Sequence, residues 1–518
     1  MKNSLLKNPV LKSATAVTAL SVLERGLGFL YRIVLSRLIG AEGLGLYQVA
    51  LSLFSLFLTI GTGGIPITVS RMISKSKAEN NPLGEKRAVG AGLCLCLLLT
   101  LPVCLIFGAF GGKMTFLFSD TRSLNVFRIL LFGLCFSAVY AVIRGYFWGN
   151  KQFLLPSILE IAEESVMVIA GVLLLQNVLS VTEGAEKAAW AVVISYLFSF
   201  TASILCFFFH GGKFSNPKKS LKPLFNATLP ITSVRASGSL VNSAIAVLLP
   251  AMLVQTGVSE SESLALFGVV SGMAMPILFI PSTIIGAMSL VLGPELSEDF
   301  YRKNYTRLYT NIERGLSVSL FVACAIIPFF YALGNDIGRL AYSNALAGEI
   351  IVKSCLLLIP MSLTMISTGM LNSLGFEKQT FLYYFIGAAA MLLCVLILPP
   401  FFGVYAYVIG MGASFIINAA CNLLFLNKNC PIFQKGRGQV RVHSLFLSMI
   451  GILPISILGQ FCNAFFINYF GELYAVFLTA AILGVVTVFF YTFLGVIPIK
   501  KILHNFWATT KRKNKNCT

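Results

Sequence analysis

Apolar runs long enough to cross a bilayer recur along this 518-residue chain, and they constrain its fold more than any other feature. An α-helix rising 1.5 Å per residue needs about 20 residues to cross a hydrocarbon core about 30 Å thick. The stretch 88–110 reaches that length without a single charged residue, and 477–494 comes close. In lipid no water is at hand to satisfy backbone groups, so only helices and closed barrels can span. A barrel would show short segments of alternating polarity, whereas these runs are continuously apolar. Hydrophobic residues at 57% against charged residues at 11% extend the same reading to the whole chain. The sequence therefore predicts an all-α, polytopic membrane helix bundle.

The pattern divides into fourteen spans: 13–38, 44–70, 88–110, 123–147, 153–178, 186–209, 224–255, 264–292, 315–333, 350–373, 379–398, 403–427, 443–464 and 471–497. No loop between them is long enough for a soluble domain. The first span follows Lys2, Lys7 and Lys12 and could be mistaken for a signal peptide. Glu24 and Arg25 interrupt its apolar core and the pattern continues to Ile39, so it reads as an uncleaved helix.

A formal charge of +19, from 39 Lys and Arg against 20 Asp and Glu, raises the question of nucleic-acid binding. The positions of the cations answer it. Most fall on one side of the bilayer, and the opposite side carries only Lys113, Arg122, Lys187 and Arg339. This is the positive-inside bias, and with an even span number it predicts a cell-membrane protein with both termini in the cytoplasm. The basic loops then suit anionic membrane lipids, and nucleic acid is not expected as a partner. Most of the 12 cysteines lie inside apolar spans as small, soft hydrophobes, and no metal or cofactor is expected.

Two segments about 210 residues apart resemble each other, Arg25-x-x-Gly28-x-x-x-Arg32 and Arg235-x-x-Gly238-x-x-x-Asn242. Each precedes a span interrupted by glycine and proline: Gly61, Gly63, Gly64 and Pro66 in the second span, and Gly272, Pro276, Pro281 and Gly286 in the eighth. These interruptions are candidate hinges. Separation by six spans preserves orientation, so the pair describes two parallel lobes: 1–212 (spans one to six) and 213–430 (spans seven to twelve). A helix pair at 431–499 and a basic tail at 500–518 complete the chain. Two apolar stretches rich in Ser, Gly and Leu can also look alike by chance.

On the first helix Thr18, Ser21, Arg25, Gly28 and Arg32 fall on one face. An Arg at the centre of a span costs about 2.5–3.5 kcal/mol to insert, so this face needs a partner or a wet cavity. Two guanidiniums in a row suit an anion, because their planar forks match phosphate oxygens; alternatively Glu24 or another carboxylate neutralises them. Arg37, at the helix end, reads as an interface anchor. Arg235 and Asn242 are the repeat counterparts of Arg25 and Arg32, and Arg235 could also be a deep cytoplasmic anchor. Glu160, Glu163 and Glu164 project from one face of the fifth span. They could pair with the first-helix arginines, hold a proton or Na⁺, or cap the helix at the interface. No catalytic constellation appears. The three histidines lie at the cytoplasmic edge and no phosphate-binding loop is present, so the chain is not read as an enzyme.

The segment from Glu24 through Arg32 and Arg37 to Tyr47, with the Gly61–Pro66 break that follows, resembles the polysaccharide-exporter branch of the multidrug/oligosaccharidyl-lipid/polysaccharide superfamily. Within it the chain is most similar to flippases of the stage V sporulation type. The resemblance implies two lobes that rock to move a lipid-linked saccharide across the cytoplasmic membrane, with a peptidoglycan precursor for spore cortex as the expected cargo. Related lipid II flippases line their cavity with arginines from helices one, two and eight. Arg25 and Arg32 fit that pattern for helix one. Spans two and eight carry no arginine within the membrane, and Arg235 comes from span seven. The expected contacts to a saccharide pyrophosphate are Ser21, Arg25, Arg32, Arg235 and Asn242, and the ion-coupling candidates are Glu24, Glu160, Glu163 and Glu164. Two other readings remain: a cation-coupled multidrug antiporter of the same superfamily, and a non-transporting cell-wall scaffold.

Overall fold

The structure, a computed structural model, describes residues 9–110, 118, 120–429 and 448–494. The start of the thirteenth span, the end of the fourteenth, the basic tail, Lys113 and the Thr18 side chain lie outside the described residues. Among those described, every regular element is helical. Helix α1 (Pro9–Thr62) holds the first span and the first half of the second, and turns between them at Gly40 (φ 71°, ψ −176°). Only glycine takes that conformation without steric cost. Gly63 and Gly64 form a bend, and α2 (Ile65–Ala78) resumes with Pro66 in its first turn, where a missing N–H costs nothing.

Helices α3 (Pro82–Phe110), α4 (Thr121–Gly149), α5 (Leu154–Leu174), α6 (Val181–Phe209) and α7 (Lys218–Gln255) follow. The eighth span is interrupted, as expected, but by more than proline. It runs through α8 (Glu260–Phe267), a π-helical stretch (Gly268–Ala274), α9 (Met275–Leu278) and α10 (Ile280–Tyr301), with Pro276 and Pro281 in the first turns of the last two. Then come α11 (Tyr305–Tyr342), α12 (Ala345–Ser354), α13 (Leu358–Ser373), α14 (Glu377–Ile397), α15 (Pro399–Phe402), α16 (Tyr405–Asn429), α17 (Ile452–Phe470) and α18 (Glu472–Phe493).

Thirteen helices among the described residues are long and apolar enough to cross a membrane. One of these, Ala19–Ala78, makes two passes about Gly40. Two others, Glu260–Leu278 and Ile280–Tyr301, are parts of the interrupted eighth span. Helix α5 falls outside the thirteen because Glu160, Glu163 and Glu164 share its centre, although its other residues are nearly all apolar. The fourteen spans of the sequence pattern are accounted for in this way.

Packing divides the chain into two compact units, residues 1–273 with 395–404, and residues 274–394 with 405–518. In the first, Ile65, Val69 and Ile73 of α2 meet Val89 and Leu95 of α3, Val142 and Phe147 of α4, and Phe207 of α6. Lipid tails are as apolar as leucine, so helices in a bilayer gain by close approach more than by burial. Gly145 accordingly sits where a Cβ would lie 2.7 Å from the Pro66 carbonyl, and Gly149 where one would lie 2.8 Å from Ile73.

In the second unit one core joins α10, α11, α13 and α16 around Leu316, Ile366 and Leu426. Another attaches α17 and α18 to α11 around Leu333, Ile455 and Tyr491. Polar contacts reinforce this second junction: buried Asp336 of α11 accepts from Asn463 of α17 at 2.5 Å, and Arg339 bridges Asp336 to Glu472 of α18 at 3.5 Å.

Candidate functional site: a mixed-charge cluster and the broken second span

Two groups of polar residues stand out in the first unit. One is built where α1, α4, α5 and α6 converge. Gly28 is the small position that lets α5 approach α1, since a Cβ there would lie 2.6 Å from Glu164 Oε1. Arg32, one turn further along the same face, has both Glu164 and Tyr47 within electrostatic reach, and Glu164 is also near Glu24. Glu24 in turn faces Glu160 and Arg144.

Arg144 Nη1 donates to Glu160 Oε1 at 2.9 Å, and its guanidinium lies 5.0 Å from the Trp148 ring centroid and 5.8 Å from that of Tyr140. Glu163 is flanked by Glu160, Glu164, Arg144 and Ser199. Its Oε2 is enclosed with no hydrogen-bond partner among the described residues, as is the hydroxyl of Tyr31, whose ring packs against Gly171.

The carboxylates at Glu160, Glu163 and Glu164 thus face inward, about ten residues into α5 in the case of the last two. Glu160 is paired with Arg144 of α4 and not with a first-helix arginine, while Glu164 has Arg32 in electrostatic reach. The partner of Glu160, Arg144, was missed, because its position seven residues before Lys151 made it look like part of a basic loop. The available signal was Tyr140 and Trp148 one turn on either side of it, which is the spacing for aromatic rings to cover a cation. Chemically, carboxylates can only accept while ionised. An enclosed carboxylate oxygen without a donor is therefore a place for a proton.

Arg25 lies on the same helix but is exposed, and no hydrogen bond or ion pair of its side chain occurs among the described residues. Ser21 is half-buried one turn before it.

The second group surrounds the break in span two. Arg235 of α7 donates from Nη1 to the Gly63 carbonyl at 2.9 Å. The Gly64 N–H donates to Thr232 Oγ1 at 3.0 Å, the hydroxyls of Thr59 and Ser239 meet at 2.9 Å, and Ser243 donates to the Ser52 carbonyl at 2.7 Å. Gly64 has no room for a side chain, since a Cβ would lie 2.7 Å from the Thr228 carbonyl, while Gly61 abuts Thr100. Two features singled out separately in the sequence, the repeat arginine and the hinge glycines, therefore belong to one contact. Asn242 is exposed, and no ion pair or hydrogen bond joins it or Arg235 to Arg25 or Arg32 among the described residues.

Comparison with known proteins places these features in context. Residues 10–300 match the family described as "Polysaccharide biosynthesis protein". The chain is 24% identical over 449 residues to stage V sporulation protein B of Bacillus subtilis (strain 168), covering 83% of this chain and 86% of that one. It is 21% identical over 495 residues to lipid II flippase MurJ of the same organism, covering 90% and 91%. Among solved structures it is similar to lipid II flippase MurJ in an inward closed conformation, with a TM-score of 0.71 at 16% identity over 92% of this chain and 98% of the other. An inward-facing multidrug resistance MATE family transporter gives a TM-score of 0.65 at 14% identity, over 79% and 94%.

Proposed function

The chain belongs to the polysaccharide biosynthesis protein family, and from that premise we propose that it is a flippase carrying a lipid-linked saccharide across the cytoplasmic membrane by alternating access. The observation that carries the reading is the exposed guanidinium of Arg25 inside an apolar span, on the face it shares with Arg32, with the adjacent Glu24 in electrostatic reach but no hydrogen bond or ion pair to it among the described residues. A cation in that position is costly unless an anion visits it. Arg25, Arg32 and Arg235, with Ser21 and Asn242, form the candidate contacts to a diphosphate headgroup. The cargo proposed is a peptidoglycan precursor for spore cortex, by likeness to stage V sporulation protein B. We further propose that spans one to six and seven to twelve act as the two moving lobes, that the apolar surfaces of α17 and α18 receive the polyprenyl tail, and that Gly61, Gly63, Gly64, Pro66, Pro276 and Pro281 are the points of bending.

We place both termini in the cytoplasm; an inside-negative potential favours outward movement of an anion by about 2.3 kcal/mol per charge per 100 mV, so a diphosphate headgroup could be driven without ATP. Cysteines substituted at Lys187 or Arg339 should then react with an impermeant thiol reagent in intact cells, and those at Lys77 or Lys219 should not. The reverse pattern would invert the topology. The direct test of the function is native mass spectrometry of protein extracted gently from its own membranes. A co-purified polyprenyl diphosphate saccharide is expected, and recovery of ordinary phospholipid alone would count against it.

The enclosed oxygen of Glu163 favours one addition, that transport is coupled to a proton. Glu163→Gln keeps the shape and removes the titratable group, so the variant should lose whatever pH dependence wild-type transport shows. An unaltered pH profile at full activity would leave Glu163 a structural residue. The antiporter reading ranks second, because a cationic drug would meet repulsion from the first-helix arginines. A scaffold would be indifferent to all of these charges.

A further inference from the structure

The side of α7 that meets span two is a polar stripe, Thr228, Thr232, Arg235, Ser239 and Ser243, at steps of three and four residues. Its bonds reach the segment 52–64 at four places, and the one made by Arg235 differs from the others. Thr232, Ser239 and Ser243 are neutral hydroxyls, whereas Arg235 brings a full charge to a neutral acceptor.

That acceptor is the carbonyl at the discontinuity itself. The Gly63 N–H closes the last turn of α1 on the Thr59 carbonyl at 2.8 Å, and α2 begins with the Thr68 N–H on the Gly64 carbonyl at 3.1 Å. The Gly63 carbonyl therefore falls between the two helices. In a bilayer an unsatisfied carbonyl is costly, so the guanidinium holds the break in its present geometry. The remaining N–H groups of Arg235 have no partner among the described residues, and the side chain is exposed.

We propose that Arg235 is a latch, in which its guanidinium is held by the Gly63 carbonyl until a diphosphate takes it, and its release lets the second span bend at Gly63–Gly64. The proposal rests on the flippase reading above and adds to it the step by which headgroup binding reaches the hinge. A diphosphate wins the exchange because bonds between two charged groups are about twice as strong as bonds between neutral ones, and because its oxygens match the paired donors of arginine. Thr232 and Ser239 stay engaged, so the break loosens without α7 leaving α1.

The test is hydrogen exchange by mass spectrometry on the full chain in lipid nanodiscs, reading peptides that cover 61–68, with undecaprenyl diphosphate as probe and undecaprenol as the uncharged control. Diphosphate should speed exchange in that segment about tenfold, the equivalent of one lost bond, and undecaprenol should not. Arg235→Ala should exchange fast with or without the lipid. Arg235→Gln, whose amide can still donate to the carbonyl but draws no anion strongly, should stay slow in both cases and guards against a fold defect in the alanine variant. Diphosphate bound by native mass spectrometry without any change in exchange overturns the latch and leaves the flippase reading standing. Failure to bind diphosphate at all overturns both.

Discussion

Alanine at Gly45 is expected to weaken the folded protein, and valine there to leave little of it. Gly45 sits just past the Gly40 turn, where α1 crosses the start of the eighth span. A Cβ at Gly45 would overlap the Leu264 carbonyl, with its carbon at 2.6 Å and Cα at 3.3 Å. Across the same contact a Cβ at Gly268 would overlap the Ala41 carbonyl and meet the Gly45 nitrogen at 2.7 Å. Every one of these neighbours is backbone, so no rotamer change relieves the overlap and one helix must shift as a whole.

Such overpacking costs about 1–3 kcal/mol for a single added group, and the branched chain of valine should exceed the upper end. The control lies in the same helix. A Cβ at Gly26 meets nothing within 4 Å, so Gly26→Ala should gain a few tenths to about 1 kcal/mol from helix propensity. The measurement is the thermal midpoint of purified protein in one detergent, and Gly45→Ala as stable as wild type would mean that the two segments do not approach so closely.

The difference between those two glycines shows where sequence reasoning reaches its limit. Both look alike in an apolar helix, and only the partner, 219 positions away in the case of Leu264, tells them apart. The spans themselves were legible because hydropathy reports the solvent each residue meets, and lipid is the solvent of most of this chain. Helix ends were less so. The ninth span reads as 315–333, but α11 continues from Tyr305 to Tyr342, since a helix can persist past the hydrocarbon where hydropathy falls away. The Gly61–Pro66 break was visible from composition, whereas the π-helical register of Gly268–Ala274 was not.

In the candidate site, the three-and-four spacing of Glu160, Glu163 and Glu164 placed them on one face. Arg144 was hidden because a basic residue near a span end is ordinarily an anchor. The bond from Arg235 was hidden for another reason: a backbone carbonyl has no letter in the sequence.

Removing Arg25 should abolish transport while leaving the protein folded. The structure sorts the arginines of the first unit by what already holds them. Arg144 is tied to Glu160 at 2.9 Å, and Arg32 lies beside Glu164. Arg144→Ala therefore leaves a half-buried carboxylate without its donor, and should lower stability by about 1–3 kcal/mol whatever it does to function. Arg25 has only the adjacent Glu24 in electrostatic reach and no hydrogen bond or ion pair among the described residues, so Arg25→Ala should insert normally and keep its stability to within about 0.5 kcal/mol.

A lost charge-assisted, paired contact to a diphosphate is worth up to about 3 kcal/mol, or a hundredfold in transport rate. Arg25→Lys should recover little of it, because lysine keeps the charge and loses the fork. A cation antiporter predicts the opposite, with Arg25→Ala tolerated or improved, and a scaffold predicts no effect. Proteoliposomes carrying a labelled polyprenyl diphosphate saccharide distinguish these outcomes, and full flipping by Arg25→Ala would remove the residue on which the flippase reading chiefly rests.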